Sequence, residues 1–302
     1  MQGNNAPVCY GALEAGGTKF VCAVTDADGK ILAETRLPTQ DPATTLNATC
    51  RFFREAFLSF GSPKALGVAS FGPVELNRNS PRYGHIGKTP KAGWSHTDMA
   101  GALKREFGCP VGFDTDVNAA ALAEHRFGAG RGVDNMAYVT VGTGIGAGII
   151  VNGAPIHGLL HPEIGHIHPR RHPHDATFKG VCPFHGDCLE GLAAGPAVVA
   201  RSGAELGSLA PTHPQWDIEA DYLGQLCAQL TATVSPERIV LGGGVMSHER
   251  LFPAVRSRLK YWLAGYIDRA EVLGEAEHYI VPPALGNRSG VLGALVLAQS
   301  AL

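Results

Sequence analysis

No run in this 302-residue chain is apolar for long enough to read as a membrane-spanning helix, and neither sign of charge dominates. A formal net charge of −2 supplies no basic field, which argues against nucleic acid or an anionic membrane surface as partner. The segment Met1–Asn5 lacks the cationic and apolar regions of a secretory leader. There is no G-x4-G-K-[ST] sequence, so a P-loop nucleotide site is excluded. Cysteine is sparse and odd in number, seven in all, and only Cys182 and Cys188 stand close together. Cys9, Cys22, Cys50, Cys109 and Cys227 lie in apolar stretches and read as small buried residues. That usage suits a reducing cytoplasm better than a disulfide framework.

What is present is an ordinary globular composition, 45% hydrophobic and 17% charged, in a chain long enough for two lobes. Val8 to Leu13, Phe20 to Val24 and Ile31 to Leu37 are β-rich runs separated by turns, an antiparallel meander. Thr44 to Phe60 has helical periodicity through Leu46, Cys50, Phe53, Phe57 and Leu58, and Ala65 to Ser70 reads as a buried strand. The second half repeats the plan. Met136 to Val141 and Ala147 to Val151 are strands around Gly142-Thr143-Gly144-Ile145-Gly146, and Arg238 to Leu241 runs into Gly242-Gly243-Gly244. An apolar helix over Ser289 to Ser300 is expected to pack back on the first lobe. The expectation is two related α/β lobes with a cleft between them: 1–114 plus 283–302, and 115–282.

Cys182-x2-His185-x2-Cys188 brings two thiolates and an imidazole into one short loop. With His166 from the upstream Glu163-Ile164-Gly165-His166 they make a donor set suited to a closed tetrahedral zinc site. His157, His161, His168, His172 and His174 crowd the same region and cannot all be ligands, so spacing alone leaves the fourth imidazole open. Glu163 and Glu190 flank the loop, and a metal-ordered loop would hold them toward a substrate.

Two Gly/Thr hairpins point to phosphate. Gly16 and Gly17 have no side chain to keep anionic oxygens from the backbone N–H groups, and Thr18 adds a hydroxyl. Gly142-Thr143-Gly144 repeats the constellation. Asp114 and Asp116 stand where a strand (Val111 to Phe113) gives way to an Ala-rich helix (Ala119 to Phe127), so either caps the helix or acts as a general base.

Leu13-Glu14-Ala15-Gly16-Gly17-Thr18-Lys19, Thr115-Asp116-Val117-Asn118-Ala119-Ala120-Ala121, Val141 to Gly146, Glu163 to His166 and the Cys/His loop occur in the order seen in ROK sugar kinases. The chain resembles the bacterial fructokinase branch of that family over essentially its whole length. The resemblance implies an α/β, actin-like (ribonuclease-H-like) two-lobed kinase fold, ATP and Mg2+ as cofactors, a structural Zn2+, a hexose substrate and a homodimer. It makes Asp116 the base that takes the sugar hydroxyl proton. Gly16, Gly17, Thr18 and Lys19 would line the phosphate path opposite Thr143 and Gly144, with Gly195-Pro196 and Gly242, Gly243 and Gly244 on the nucleoside side. Glu163, His166 and Glu190 would contact the sugar, and His166, Cys182, His185 and Cys188 would hold the zinc. Many relatives carry Asp at the position of Glu14 and Asn at that of Thr115, departures that favour fructose over glucose. Mannose or glucose kinases are the runner-up. Regulators of the same family carry a helix-turn-helix module ahead of the first hairpin, for which a strand beginning by Val8 leaves no room.

Overall fold

The computed structural model describes residues 8–302, so Met1–Asn5 lies outside the described residues. By its contacts the chain forms two compact units. The first holds the described residues up to Ala123 together with His157–His161 and Asn287–Leu302; the second holds Glu124–Ile156 and Pro162–Gly286. Among the described residues no helix is long and apolar enough to cross a membrane.

In the first unit, β1 (Cys9–Ala15), β2 (Lys19–Thr25) and β3 (Ile31–Pro38) form the expected meander. Helix α1 (Pro42–Phe60) follows, then β4 (Pro63–Ser70), α2 (Met99–Phe107) and β5 (Val111–Thr115), before α3 (Asp116–Phe127) opens. β4 lies parallel to β1 and β5 parallel to β4, giving the order β3-β2-β1-β4-β5. The inner strands β1 and β4 are buried almost continuously, the pattern of a sheet covered on both faces, whereas the edge strand β3 alternates. α1 begins where Asp41 accepts from the Thr44 N–H, with Pro42 in its first turn. Its Phe53 and Phe57 join Leu13, Phe20 and Leu66 in one core. Leu58, counted in the apolar stripe from sequence, is instead 88% exposed. One residue turns the helix by about 100°, and Phe57 already occupies the core-facing position.

The second unit repeats this topology. β6 (Met136–Val141), β7 (Ile145–Val151) and β8 (Ala154–Pro155) form a meander, and β9 (Arg238–Gly242) adds parallel to β6. β10 (Ile280–Val281) then adds parallel to β9, giving β10-β9-β6-β7-β8. Between these strands run α4 (Leu189–Ala193), α5 (Gly195–Ser202), α6 (Gln215–Val234), α7 (Leu251–Leu263), α8 (Ala270–Leu273) and α9 (Ala276–Tyr279). Leu223, Leu226 and Leu230 of α6 and Val255 and Leu259 of α7 share a core with Val139, Ile239 and Leu241 of the sheet.

The last helix, α10 (Ser289–Gln299), belongs to the first unit and is buried nearly all round. Gly67 of β4 and Gly112 of β5 are cross-strand partners. A Cβ on the first would overlap the carbonyl oxygen of Ala294, and one on the second that of Leu297. The paired glycines thus open a trough in which the α10 backbone rests on the sheet. Gly293 likewise lets α10 reach Ala119, which draws the first turns of α3 into this unit. The divide accordingly falls after Ala123 and before Asn287 rather than at 114 and 283. Gly67→Val should lower stability by at least the ~1–3 kcal/mol of an overpacked core, because backbone rather than a rotatable side chain must move. Thermal unfolding of the variant measures it.

Candidate functional site

The first hairpin, Gly16-Gly17-Thr18, links β1 to β2 and is closed by Gly16 N–H donating to the Lys19 carbonyl at 3.0 Å. Thr39 holds it from the next strand's end, its hydroxyl donating to Gly16 O at 2.8 Å and its N–H to Thr18 O at 3.0 Å. Gly17 and Thr18 are exposed, and their N–H groups donate to no protein acceptor among the described residues. Those unused amides, with the charged Lys19 next in sequence, offer exposed hydrogen-bond donors to an anion. Glu14, at the end of β1, lies against the first turn of α10, where Gly290 leaves it room. Burial pushes its carboxyl above the ordinary value, against the pull of Lys19 and Arg36.

The junction of β5 and α3 assigns the two neighbouring aspartates different environments. Helix α3 starts at Asp116, earlier than the alanine run suggested, and its cap is Thr115, whose Oγ1 accepts from the Asn118 N–H at 3.0 Å. Neither aspartate takes that cap position. Thr115 is buried and spends its hydroxyl on the cap. Asp116 is partly exposed at the first helical position and accepts from the Val117 N–H at 2.9 Å. Asp114 is only 2% exposed. Its Oδ1 accepts from the Thr115 N–H and from Asn118 Nδ2, both at 2.7 Å, and its Oδ2 lies 2.8 Å from His157 Nε2.

In the second unit three glycine turns converge. Gly195 N–H donates to the Gly142 carbonyl at 2.8 Å, which sets the start of α5 against the second hairpin. Gly243 follows β9 at φ +90°, where a Cβ would overlap the backbone of Val141. Thr143 and Gly144 keep their N–H groups unused among the described residues. These turns border a cavity of ≈ 720 Å³ lined by Thr143, Pro196, Val199, Leu206, Val245 and His248, with Gly142 and Gly244 at its edge. An apolar slot opening on a glycine turn and a helix N-terminus can hold a flat ring with an anion attached. Of the residues expected on the nucleoside side, Pro196 and Gly244 line this cavity, Gly242 is buried at the end of β9, and Gly243 turns the chain between the two glycines.

The Cys/His set meets in space. One ligand atom from each of His166, Cys182, His185 and Cys188 lies within 4.8 Å of every other. The Nδ1 of His166 is 3.5 Å from Cys188 Sγ and 3.8 Å from Cys182 Sγ, and His185 Nδ1 is 3.7 Å from Cys182 Sγ. A tetrahedral ion bound at the usual Zn–S and Zn–N lengths sets neighbouring donors about 3.6 Å apart, so the donors present fit zinc. The loop is closed by reciprocal backbone hydrogen bonds between Cys182 and Gly186. Three of the other histidines have partners of their own. His161 accepts from the Val74 N–H at 3.2 Å, His172 Nε2 lies 3.3 Å from Asp217, and His168 lies 3.8 Å from Asp187.

α4 starts directly after Cys188 and carries Glu190, whose Oε2 accepts from the Ile145 N–H at 2.9 Å. Glu190 therefore ties the metal loop to the second hairpin. The Glu163 carboxyl, on a residue that keeps an exposed surface, is pushed up by loss of solvent and then by the charge of Glu190. Sequence spacing brought out neither the Glu190–Ile145 link nor the Asp114–His157 pair, since each joins residues more than forty positions apart.

A model of the ROK family matches residues 10–301. A fructokinase of Zymomonas mobilis is 46% identical over 295 residues, covering 97% of each chain. A fructokinase of Pediococcus pentosaceus is 43% identical over 292 residues, covering 97% of this chain and 98% of that one. Among solved structures, the ROK hexokinase from Thermus thermophilus superposes with a TM-score of 0.78 at 26% identity, covering 97% of this chain and 98% of that one. The two mixed sheets with their helices are thus the actin-like (ribonuclease-H-like) α/β kinase fold.

Proposed function

Because this chain belongs to the ROK family, we propose that it is an ATP-dependent fructokinase making fructose 6-phosphate. The observation that carries the chemistry is the β5–α3 junction. Thr115 caps the helix, so the partly exposed Asp116 is not needed there and serves as the base for the sugar hydroxyl. The choice of fructose rests on the likeness to the named fructokinases, well above the likeness to the solved hexokinase.

Phosphoryl transfer passes through a loose, anionic transition state and asks for alignment and oriented charge rather than covalent help. The unused amides of Gly17 and Thr18, and those of Thr143 and Gly144, are such oriented dipoles, and Lys19 adds a full charge. Thr143, Pro196 and Gly244 border the apolar cavity that receives the nucleoside, with Gly242 and Gly243 carrying the chain from β9 to Gly244. Magnesium carried with the nucleotide supplies positive charge to its phosphates. His166, Cys182, His185 and Cys188 would hold zinc through four protein donors, leaving no open position, so its part is to shape the loop. Glu163 and His166 are the sugar-contact candidates beside it. Glu190, whose Oε2 accepts from the Ile145 N–H, is a third sugar-contact candidate. A homodimer, implied by the family resemblance, is measured by light scattering.

An ADP-release assay across fructose, mannose, glucose and N-acetylmannosamine tests the acceptor. Fructose should have the highest kcat/KM, by about tenfold or more over glucose, the discrimination one unsatisfied polar contact provides. Glucose ranking above fructose would overturn the fructose assignment and leave the kinase reading standing.

A further inference from the structure

The segment His157–His161 belongs to the first unit through two histidines. His161 is 6% exposed and serves as acceptor for the Val74 N–H. His157 is different. Its ring is 42% exposed, yet one edge is fixed on a carboxylate that is almost wholly buried. Nε2 lies 2.8 Å from Asp114 Oδ2 and 3.3 Å from Asn118 Nδ2. Nδ2 of Asn118 can only donate and is already bonded to Asp114, so the shorter contact decides that His157 Nε2 donates to the carboxylate. No other hydrogen bond of His157 occurs among the described residues, which leaves Nδ1 as the outward edge of an oriented ring.

The anchor is also the group that shapes the chain around Asp116. Asp114 holds the Thr115 N–H and the Asn118 side chain, the residues on either side of the first turn where Asp116 sits. Asp114 lies one residue before the end of β5, and Asp116 opens α3 two positions on. The buried carboxylate and the imidazole clamped on it therefore belong to the same strand-to-helix junction as Asp116.

We propose that His157 is a substrate-binding residue: as an imidazolium held on Asp114, it donates its Nδ1 proton to an oxygen of the acceptor sugar beside the hydroxyl served by Asp116. This rests on the reading of Asp116 as the base. The charged form is favoured where the ring sits, because the hydrogen bond to Asp114 raises the His157 pKa above its ordinary 6.5 against partial desolvation and the nearby Arg78. The groups facing the ring are Asp114 of β5, Asn118 of α3, and Arg78 on the loop after β4; Tyr83, on that same loop, packs edge-on against Phe113. Since the folded-state pKa is raised, the donor is fully present at pH values below the ordinary one and disappears as pH climbs through the raised one.

The test is equilibrium binding of D-fructose, without nucleotide, to the full chain from about pH 6 to about pH 9. Wild-type affinity should be level at the acid end and weaken toward the alkaline end. His157→Gln should bind fructose about ten- to hundredfold more weakly, the weight of a charge-assisted hydrogen bond, with no pH trend and an unchanged KM for ATP. Fructose affinity that is flat with pH in the wild type overturns the proposal, and this needs no variant to fold. So does a His157→Gln protein that keeps wild-type affinity, or one that melts early but retains the pH trend, which would make His157 only a lock on its segment. Asp116→Asn separates the two readings. If it keeps turnover, Asp116 is not the base, whereas His157 is judged on binding alone.

Discussion

Asp116→Asn should lower kcat by about 10²–10⁴, with the affinity for ATP unchanged. The asparagine is nearly the same shape and can still accept from the Val117 N–H, so helix α3 should start where it does now. What is lost is the negative charge and the ability to take a proton. Cap stability should not change, because the cap is Thr115. Thr115→Ala is the matching control: it should cost about 1 kcal/mol of stability, the usual worth of an N-cap, with a smaller loss of turnover. Single-turnover kinetics and thermal unfolding on the two variants separate the roles. An Asp116→Asn protein with near wild-type turnover would return Asp116 to a purely structural part.

These assignments show which parts of the molecule can be read along the chain. The meanders, the glycine hairpins and the Cys-x2-His-x2-Cys loop depend on neighbours within a few residues, and the structure places all of them. The junction at Asp116 was half legible. An aspartate before an alanine run reads as cap or base, and only the direction of the Thr115 hydroxyl decides which residue caps. Leu58 misled because the stripe counted from sequence is wider than the face α1 buries, and periodicity does not say where that face ends. The histidine crowd was ambiguous for a different reason. His157, His161 and His172 find their partners at Asp114, Val74 and Asp217, positions that only tertiary packing brings near. The trough for α10 is of the same kind, since Gly67 and Gly112 become neighbours only through strand pairing.

Purified protein should contain about one zinc per chain, and Cys182→Ser with Cys188→Ser should abolish both the metal and most of the activity. Both thiols are nearly or wholly buried, so the double variant replaces two buried sulfur donors with two hydroxyls that bind zinc poorly. Without an ion the loop is held by the backbone pair between Cys182 and Gly186, by Val181 N–H on the Gly191 carbonyl and by Arg171 and His168 on Asp187, with Phe184 70% exposed at its tip. Damage should not stop there. α4 begins at the residue after Cys188 and presents Glu190 to the Ile145 N–H, so a disordered loop releases the anchor of the second hairpin. Loss of metal should therefore raise the KM for ATP as well as that for fructose. Confinement of the effect to fructose would mean that Glu190 keeps its position without the loop. Limited proteolysis should cut first between Lys179 and Cys188 after treatment with a strong chelator, and added zinc should restore both resistance and turnover. Wild-type protein made without chelators that contains no zinc, or a double variant that melts and turns over like wild type, would leave the four residues as a polar cluster without a metal.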